Sequence, residues 1–246
     1  MKTCSDIKVC SDLIRNDVPA ECQLADSELV SFCVCDNADL KILFAGNSIT
    51  RHGVAENLGW LGDWGMAASA RENDYVHLIV HSLELAGKKV SYCVANFGEW
   101  ERSRNDSILT EKYSAVREFG ADIVIIRLGE NAQLLNRADE FMPHYENLIR
   151  FFAGERARVV LTDLFWQYEP FDKAVERLAK ERGYGFASLH DLGDRDEMKA
   201  YGKFEHAGVA AHPGDKGMAE IASRIYKQIE KIIWKPKTKR NIFCKT

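Results

Sequence analysis

The sequence predicts an α/β fold, a three-layer αβα sandwich built around about five parallel strands. Three observations predict it. Short β-branched runs alternate with amphipathic stretches along most of the chain, the rhythm of βαβ units. One run, Ile123-Val124-Ile125-Ile126, is continuously apolar, as a strand covered on both faces must be. A length of 246 residues with 46% hydrophobic content suits one domain with a sizeable core.

The elements follow in order. Lys41 to Ala45 is a compact apolar run ending at Gly46 and reads as the first strand. After a long loop, Asp74 to Ala86 shows helical spacing through Tyr75, Leu78, Ile79, Leu83 and Leu85, and Gly87 stops it. Val90 to Ala95 is the second strand, Ile108 to Phe119 the next helix, and Ile123 to Ile126 the third strand. Asp139 to Phe152 reads as a helix, Val159 to Thr162 as a strand, and Phe171 to Glu181 as a helix closed by Gly183. Gly185 to Leu189 is the last strand. Met218 to Trp234 closes the domain as a helix with Met218, Ile221, Ala222, Ile225 and Ile229 on one face. The expected strand order is flavodoxin-like. Residues 1–38 form an N-terminal extension in which Leu29 to Cys35 is a candidate extra strand. Residues 39–234 form the domain, and 235–246 a basic tail read as solvated.

Composition narrows the partners. A formal net charge of -4 gives no basic face for a polyanion, so nucleic acid is not expected. No apolar run approaches the length of a membrane span, and acidic residues interrupt the start of the chain where a secretory signal needs an apolar core. The expected setting is cytoplasmic, with no membrane partner; a homo-oligomer is compatible with the sequence. Seven cysteines, Cys4, Cys10, Cys22, Cys33, Cys35, Cys93 and Cys244, show no Cys-x-x-Cys spacing and read as reduced thiols. Neither a dinucleotide nor a P-loop glycine pattern follows the first strand. No cofactor is expected. His77 and His81 share a helix face but lack the glutamate and third ligand of a zinc helix, so no metal is assigned.

In an open parallel sheet, ligands sit beyond the carboxyl ends of the strands. Those ends carry Gly46-Asn47-Ser48, Asn96-Phe97-Gly98-Glu99 and Arg127-Leu128-Gly129-Glu130-Asn131, while His212-Pro213 precedes the last helix. A serine hydroxyl needs an adjacent base, and acyl transfer needs donors for the oxyanion. Ser48 is the candidate nucleophile and His212 the candidate base; the Ser48 amide, the Gly98 amide and the Asn131 side chain are the candidate oxyanion hole.

These four segments, spanning about Lys41 to Ile229, resemble the blocks of the SGNH, or GDSL-like, hydrolase family. The resemblance implies ester hydrolysis through a covalent acyl-enzyme, often of acetyl or other short acyl esters of carbohydrates. Two departures stand out. Asn47 replaces the family's usual Asp, which keeps a hydrogen-bonding side chain and loses a charge. Val209 occupies the place of the usual triad acid. Glu205 or His206 reaching His212, a backbone carbonyl behind a Ser-His dyad, and an inactive site all stay open at this point. Asp215 reads as the N-cap of the final helix.

Trp60, Trp64, Trp100 and Trp166 fall after strands, where aromatic faces suit a sugar ring or an acyl group. Asn47, Asp63, Trp64, Trp100, Arg127, Glu130 and Trp166 are the substrate-contact candidates, with Arg127 and Glu130 expected to pair with each other, with Glu99 or with substrate. His52, near Ser48, reads equally as a substrate contact or a loop cap. The expected partner is a small ester, such as an acetylated saccharide. The alternatives are a non-catalytic carbohydrate-binding protein on the same fold and an O-acyltransferase.

Overall fold

Two layers of helices cover a six-stranded sheet in the computed structural model, which describes residues 9–17, 29–132 and 137–234. The strands are β1 (Val30–Cys33), β2 (Leu40–Gly46), β3 (Val90–Asn96), β4 (Ile123–Arg127), β5 (Arg158–Thr162) and β6 (Gly185–Ala187). The helices of the described residues are α1 (Tyr75–Leu85), α2 (Gly98–Ser103), α3 (Ser107–Glu118), α4 (Ala138–Ala153), α5 (Glu169–Arg182), α6 (Ala207–Ala210) and α7 (Asp215–Ile233). The order across the sheet is β1-β3-β2-β4-β5-β6. Without β1, this is the flavodoxin-like order, all parallel. The candidate strand at Leu29 to Cys35 does form. It pairs antiparallel with β3, making six strands where about five were expected.

Alternation along the strands builds two cores. Leu43, Ala45, Val124, Ile126, Val159 and Leu161 face one side, where α3, α4 and α5 bring Val116, Leu148, Phe152 and Val175. Ile42, Phe44, Val94, Ile123, Ile125 and Val160 face the other, against Ile79 and Leu83 of α1 and Ile221, Ile225 and Ile229 of α7. Asp74 caps α1 by accepting from the His77 amide at 2.8 Å, a bond typically worth about 1 kcal/mol.

The N-cap of α7 corrects the sequence reading. It is Gly214, and the helix begins at Asp215. The Asp215 carboxylate instead accepts from the Ser69 amide at 2.8 Å and the Ser69 hydroxyl at 2.6 Å, tying the loop before α1 to the start of α7. Cys10, Cys33, Cys35 and Cys93 are free thiols. Cys4, Cys22 and Cys244, and the basic tail at 235–246, lie outside the described residues. Among the described residues no helix is long and apolar enough to cross a membrane.

Candidate active site

Parallel register assembles the site. Gly46 at the end of β2 pairs with Asn96 on one side and Arg127 on the other, so the three following loops leave the sheet at one level. The Phe97 amide donates to the Gly46 carbonyl at 2.7 Å, and the Asn96 side chain donates to the Arg51 carbonyl at 2.7 Å, closing the β2 and β3 loops on each other. Ser48 sits on a tight turn in which the Thr50 and Arg51 amides both donate to the Asn47 carbonyl. Gly46 is required there because an added Cβ would lie on Thr50 Oγ1. Thr50 in turn bonds the Tyr75 hydroxyl at 2.8 Å. Gly46→Ala is expected to lower stability by about 1–3 kcal/mol, measured by thermal unfolding.

Ser48 Oγ lies 2.8 Å from His212 Nε2. The other ring nitrogen, Nδ1, lies 2.6 Å from the Gly208 carbonyl. A carbonyl only accepts, so Nδ1 carries the proton and Nε2 presents its lone pair to the serine. Both residues are buried, at 4% and 5% exposure. Burial pushes the His212 imidazole down to about 4, opposed by the Gly208 bond; the ring is therefore neutral at pH 7.

The residue behind His212 is thus a backbone carbonyl. Glu205 is solvent-exposed, and the His212 Nδ1 it was a candidate to hold meets the Gly208 carbonyl instead. His206 is buried but caps the short α6 through the Val209 amide at 3.1 Å. Val209 is fully buried in a small cluster with Leu58, Trp60, Met66 and Phe204.

The three candidate oxyanion donors are held differently. The Ser48 amide has no acceptor among the described residues. The Gly98 amide, by contrast, donates to the Asn96 side chain at 2.8 Å and is committed within its own loop. Asn131 Nδ2 donates to Glu101 Oε2 at 2.8 Å, which uses one of its two N–H bonds. Gly98 and Asn131 line the same small space: a Cβ on Gly98 would stand 3.4 Å from Asn131 Nδ2.

Beneath Ser48 lies a buried polar network. Arg127 is wholly buried and donates to Glu130 at 2.6 and 3.0 Å and to Asn47 Oδ1 at 2.5 Å. Asn47 Nδ2 donates to Glu130 at 2.7 Å and to Glu101 at 3.3 Å. Glu101 also accepts from the Gly129 amide. Burial, reinforced by the neighbouring Glu130 charge, raises the Glu101 carboxyl to about 7. The network explains the amide at position 47. One end must accept from a guanidinium while the other donates to carboxylates, and Asp can do only the first. Asn47→Asp sets a third carboxylate against two others, and thermal unfolding is expected to show a loss of about 2 kcal/mol or more.

The other substrate-contact candidates divide. Trp166 stands edge-on to His212, with ring centroids 5.5 Å apart. Trp100 is fully buried against Phe141 and donates to Asp106 at 3.1 Å, so it is a core residue. Trp60 is likewise fully buried, and Trp64 packs on it while donating to the Ala68 carbonyl at 3.0 Å. Asp63 is paired with Arg71 at 2.5 Å. Asn47, Arg127 and Glu130 face one another in the network, and Glu99 pairs with Lys112 at 2.7 Å. His52 is buried and bonds the Gly53 carbonyl at 2.8 Å, and His77 is bonded to Asp74 at 2.8 Å.

Sequence reasoning missed Glu101, and it left a backbone carbonyl behind His212 open without identifying Gly208 as its source. The first lies on α2, six residues long and too short for helical periodicity to show. The second is a main-chain group and leaves no side-chain signature.

No family model matches the chain, and no curated protein matches it significantly. Solved structures do share its fold. A member of the lipolytic protein G-D-S-L family from Veillonella parvula DSM 2008 matches with a TM-score of 0.51 at 15% identity, over 76% of this chain and 96% of that one. A two-domain esterase active on acetylated mannans, co-crystallized with mannopentaose, matches with a TM-score of 0.51 at 19% identity, over 81% of this chain and 52% of that one. The sheet order, the enclosing helices and these likenesses together show that the chain has the SGNH, or GDSL-like, hydrolase fold.

Proposed function

We propose that the protein is a carboxylic-ester hydrolase that cleaves an acetyl or other short acyl ester, with an acetylated saccharide as the substrate class. The observation that carries this is the Ser48 Oγ to His212 Nε2 contact of 2.8 Å, with Nδ1 held by the Gly208 carbonyl. Ser48 attacks the ester carbonyl as Nε2 takes its proton. The Ser48 amide and the second N–H of Asn131 receive the oxyanion, and His212 returns the proton to the leaving alcohol. Water, deprotonated by the same nitrogen, then releases the acid.

A dyad suffices because the carbonyl keeps the productive tautomer. Losing a triad carboxylate costs about 10⁴-fold where it inverts that tautomer, and here it does not. The low exposure of Ser48 supports a small acyl group. The Trp166 ring beside His212 supports a ring-shaped alcohol portion, and the acetyl-mannan activity of one structural neighbour is in keeping with it.

A fluorophosphonate probe tests the reading. It is expected to add one equivalent of mass to the peptide carrying Ser48 and to stop turnover of p-nitrophenyl acetate. A protein that neither labels nor turns over the ester overturns the proposal and leaves the binding-protein reading. Product analysis with a sugar acceptor present separates hydrolysis, which releases free acid, from acyl transfer.

A further inference from the structure

We propose that Glu101 is a positioning residue for the oxyanion hole, setting which end of the Asn131 amide faces the reacting carbonyl. The inference rests on the ester-hydrolase reading and deepens it. Glu101 is fully buried and acts through Asn131.

The argument begins with what cannot move. The Gly129 N–H is main chain and can only donate, and it donates to Glu101 Oε1. Gly129 itself is fixed, since its φ of 137° and the closeness of Phe171 and Leu164 leave the turn no alternative side chain. Oε1 must therefore remain an acceptor, and it also receives Asn47 Nδ2 at 3.3 Å. That leaves Oε2 for Asn131. As a carboxylate oxygen it accepts, so the Asn131 amide must turn its nitrogen inward at 2.8 Å. The same nitrogen then lies beside Gly98, with its second N–H available to the oxyanion.

The Glu101→Gln variant inverts this without changing shape. Its amide oxygen is claimed by Gly129 N–H, so its nitrogen faces Asn131, and two donors meet. Asn131 relieves the clash by rotating its oxygen inward, which carries its nitrogen away from the site. Protonation of Glu101 does the same, because Oε1 already meets two donors and the proton must settle on Oε2. The groups facing the Glu101 carboxyl are Glu130 and Arg127 from β4 and the turn after it, and Tyr145 from α4. On its own helix, Glu99 is engaged with Lys112. Burial and Glu130 outweigh Arg127 and hold the carboxyl near 7, well above the His212 imidazole.

The test measures kcat and KM for p-nitrophenyl acetate in wild type, Glu101→Gln, Asn131→Ala and the double variant. Both single variants are expected to lose about 10²–10³-fold in kcat with KM nearly unchanged, and the double variant to lose no more than either. In wild type, kcat is expected to fall by a similar factor as pH drops through about 7, and this limb is expected to be absent from Asn131→Ala. The pH comparison holds even where Glu101→Gln does not fold. Glu101→Gln with wild-type kcat, losses that multiply in the double variant, or a limb that persists in Asn131→Ala each overturn the role of Glu101. A wild type whose turnover is absent or indifferent to Ser48→Ala overturns the ester-hydrolase reading instead.

Discussion

Replacing Ser48 with alanine is expected to lower kcat for p-nitrophenyl acetate by about 10⁶-fold, because the covalent step disappears and only transition-state binding remains. His212→Ala should lose nearly as much, and the double variant hardly more. The proposed path of the serine proton runs to His212, since Oγ meets Nε2 at 2.8 Å and the ring is held from behind by a carbonyl. Residues that act as one unit fail together. Losses that multiply would mean that the two side chains serve separate steps. Their thermal stabilities should stay close to wild type, which separates chemistry from folding.

The second large effect concerns stability. Arg127→Met removes the guanidinium that pairs with Glu130 in a pocket where Glu130 is 7% exposed at its side chain and Glu101 is fully buried. Breaking a buried pair from one side typically costs about 3–5 kcal/mol, because the remaining charge keeps its desolvation penalty and loses its partner. For a chain of this size the melting temperature should fall by roughly 6–20 °C, measured by calorimetry. The half-exposed pair of Arg182 with Glu146, at 3.1 Å, provides the contrast. Arg182→Ala should cost less than about 1 kcal/mol. Equal losses at the two sites would refute the special weight given to the buried network.

Much of this architecture is legible in the sequence. The strands from Leu40 to Thr162 announce themselves because burial on both faces demands unbroken apolar runs, and α7 because one face of a long helix must be apolar. The edge strand β1 was visible only as a candidate, since a half-exposed edge carries a weaker pattern. Ser48, His212 and Asn131 were legible because topology brings strand ends together whatever their sequence separation. Their supports were not. Trp100 and Trp60 looked like pocket walls because a sequence does not say which way a loop aromatic turns, and both turn into the core. Asp215 looked like a cap because the residue type fits, yet its carboxylate reaches across to Ser69. Glu205 has the right charge, yet it is exposed while His212 Nδ1 meets the Gly208 carbonyl.

The carbonyl of Gly208 has one more implication, for how this site tolerates change over time. A triad acid is a single codon, and losing it disables the base. Here the ring of His212 is steered by a main-chain oxygen that every amino acid possesses, so no substitution at position 208 deletes it. What selection must preserve is the path of the chain from His206 to His212, anchored by the buried Val209. On the proposed reading the support of the base lies in a loop shape, and a side chain at position 208 must still clear the His206 ring, which a Cβ there would meet at 2.8 Å.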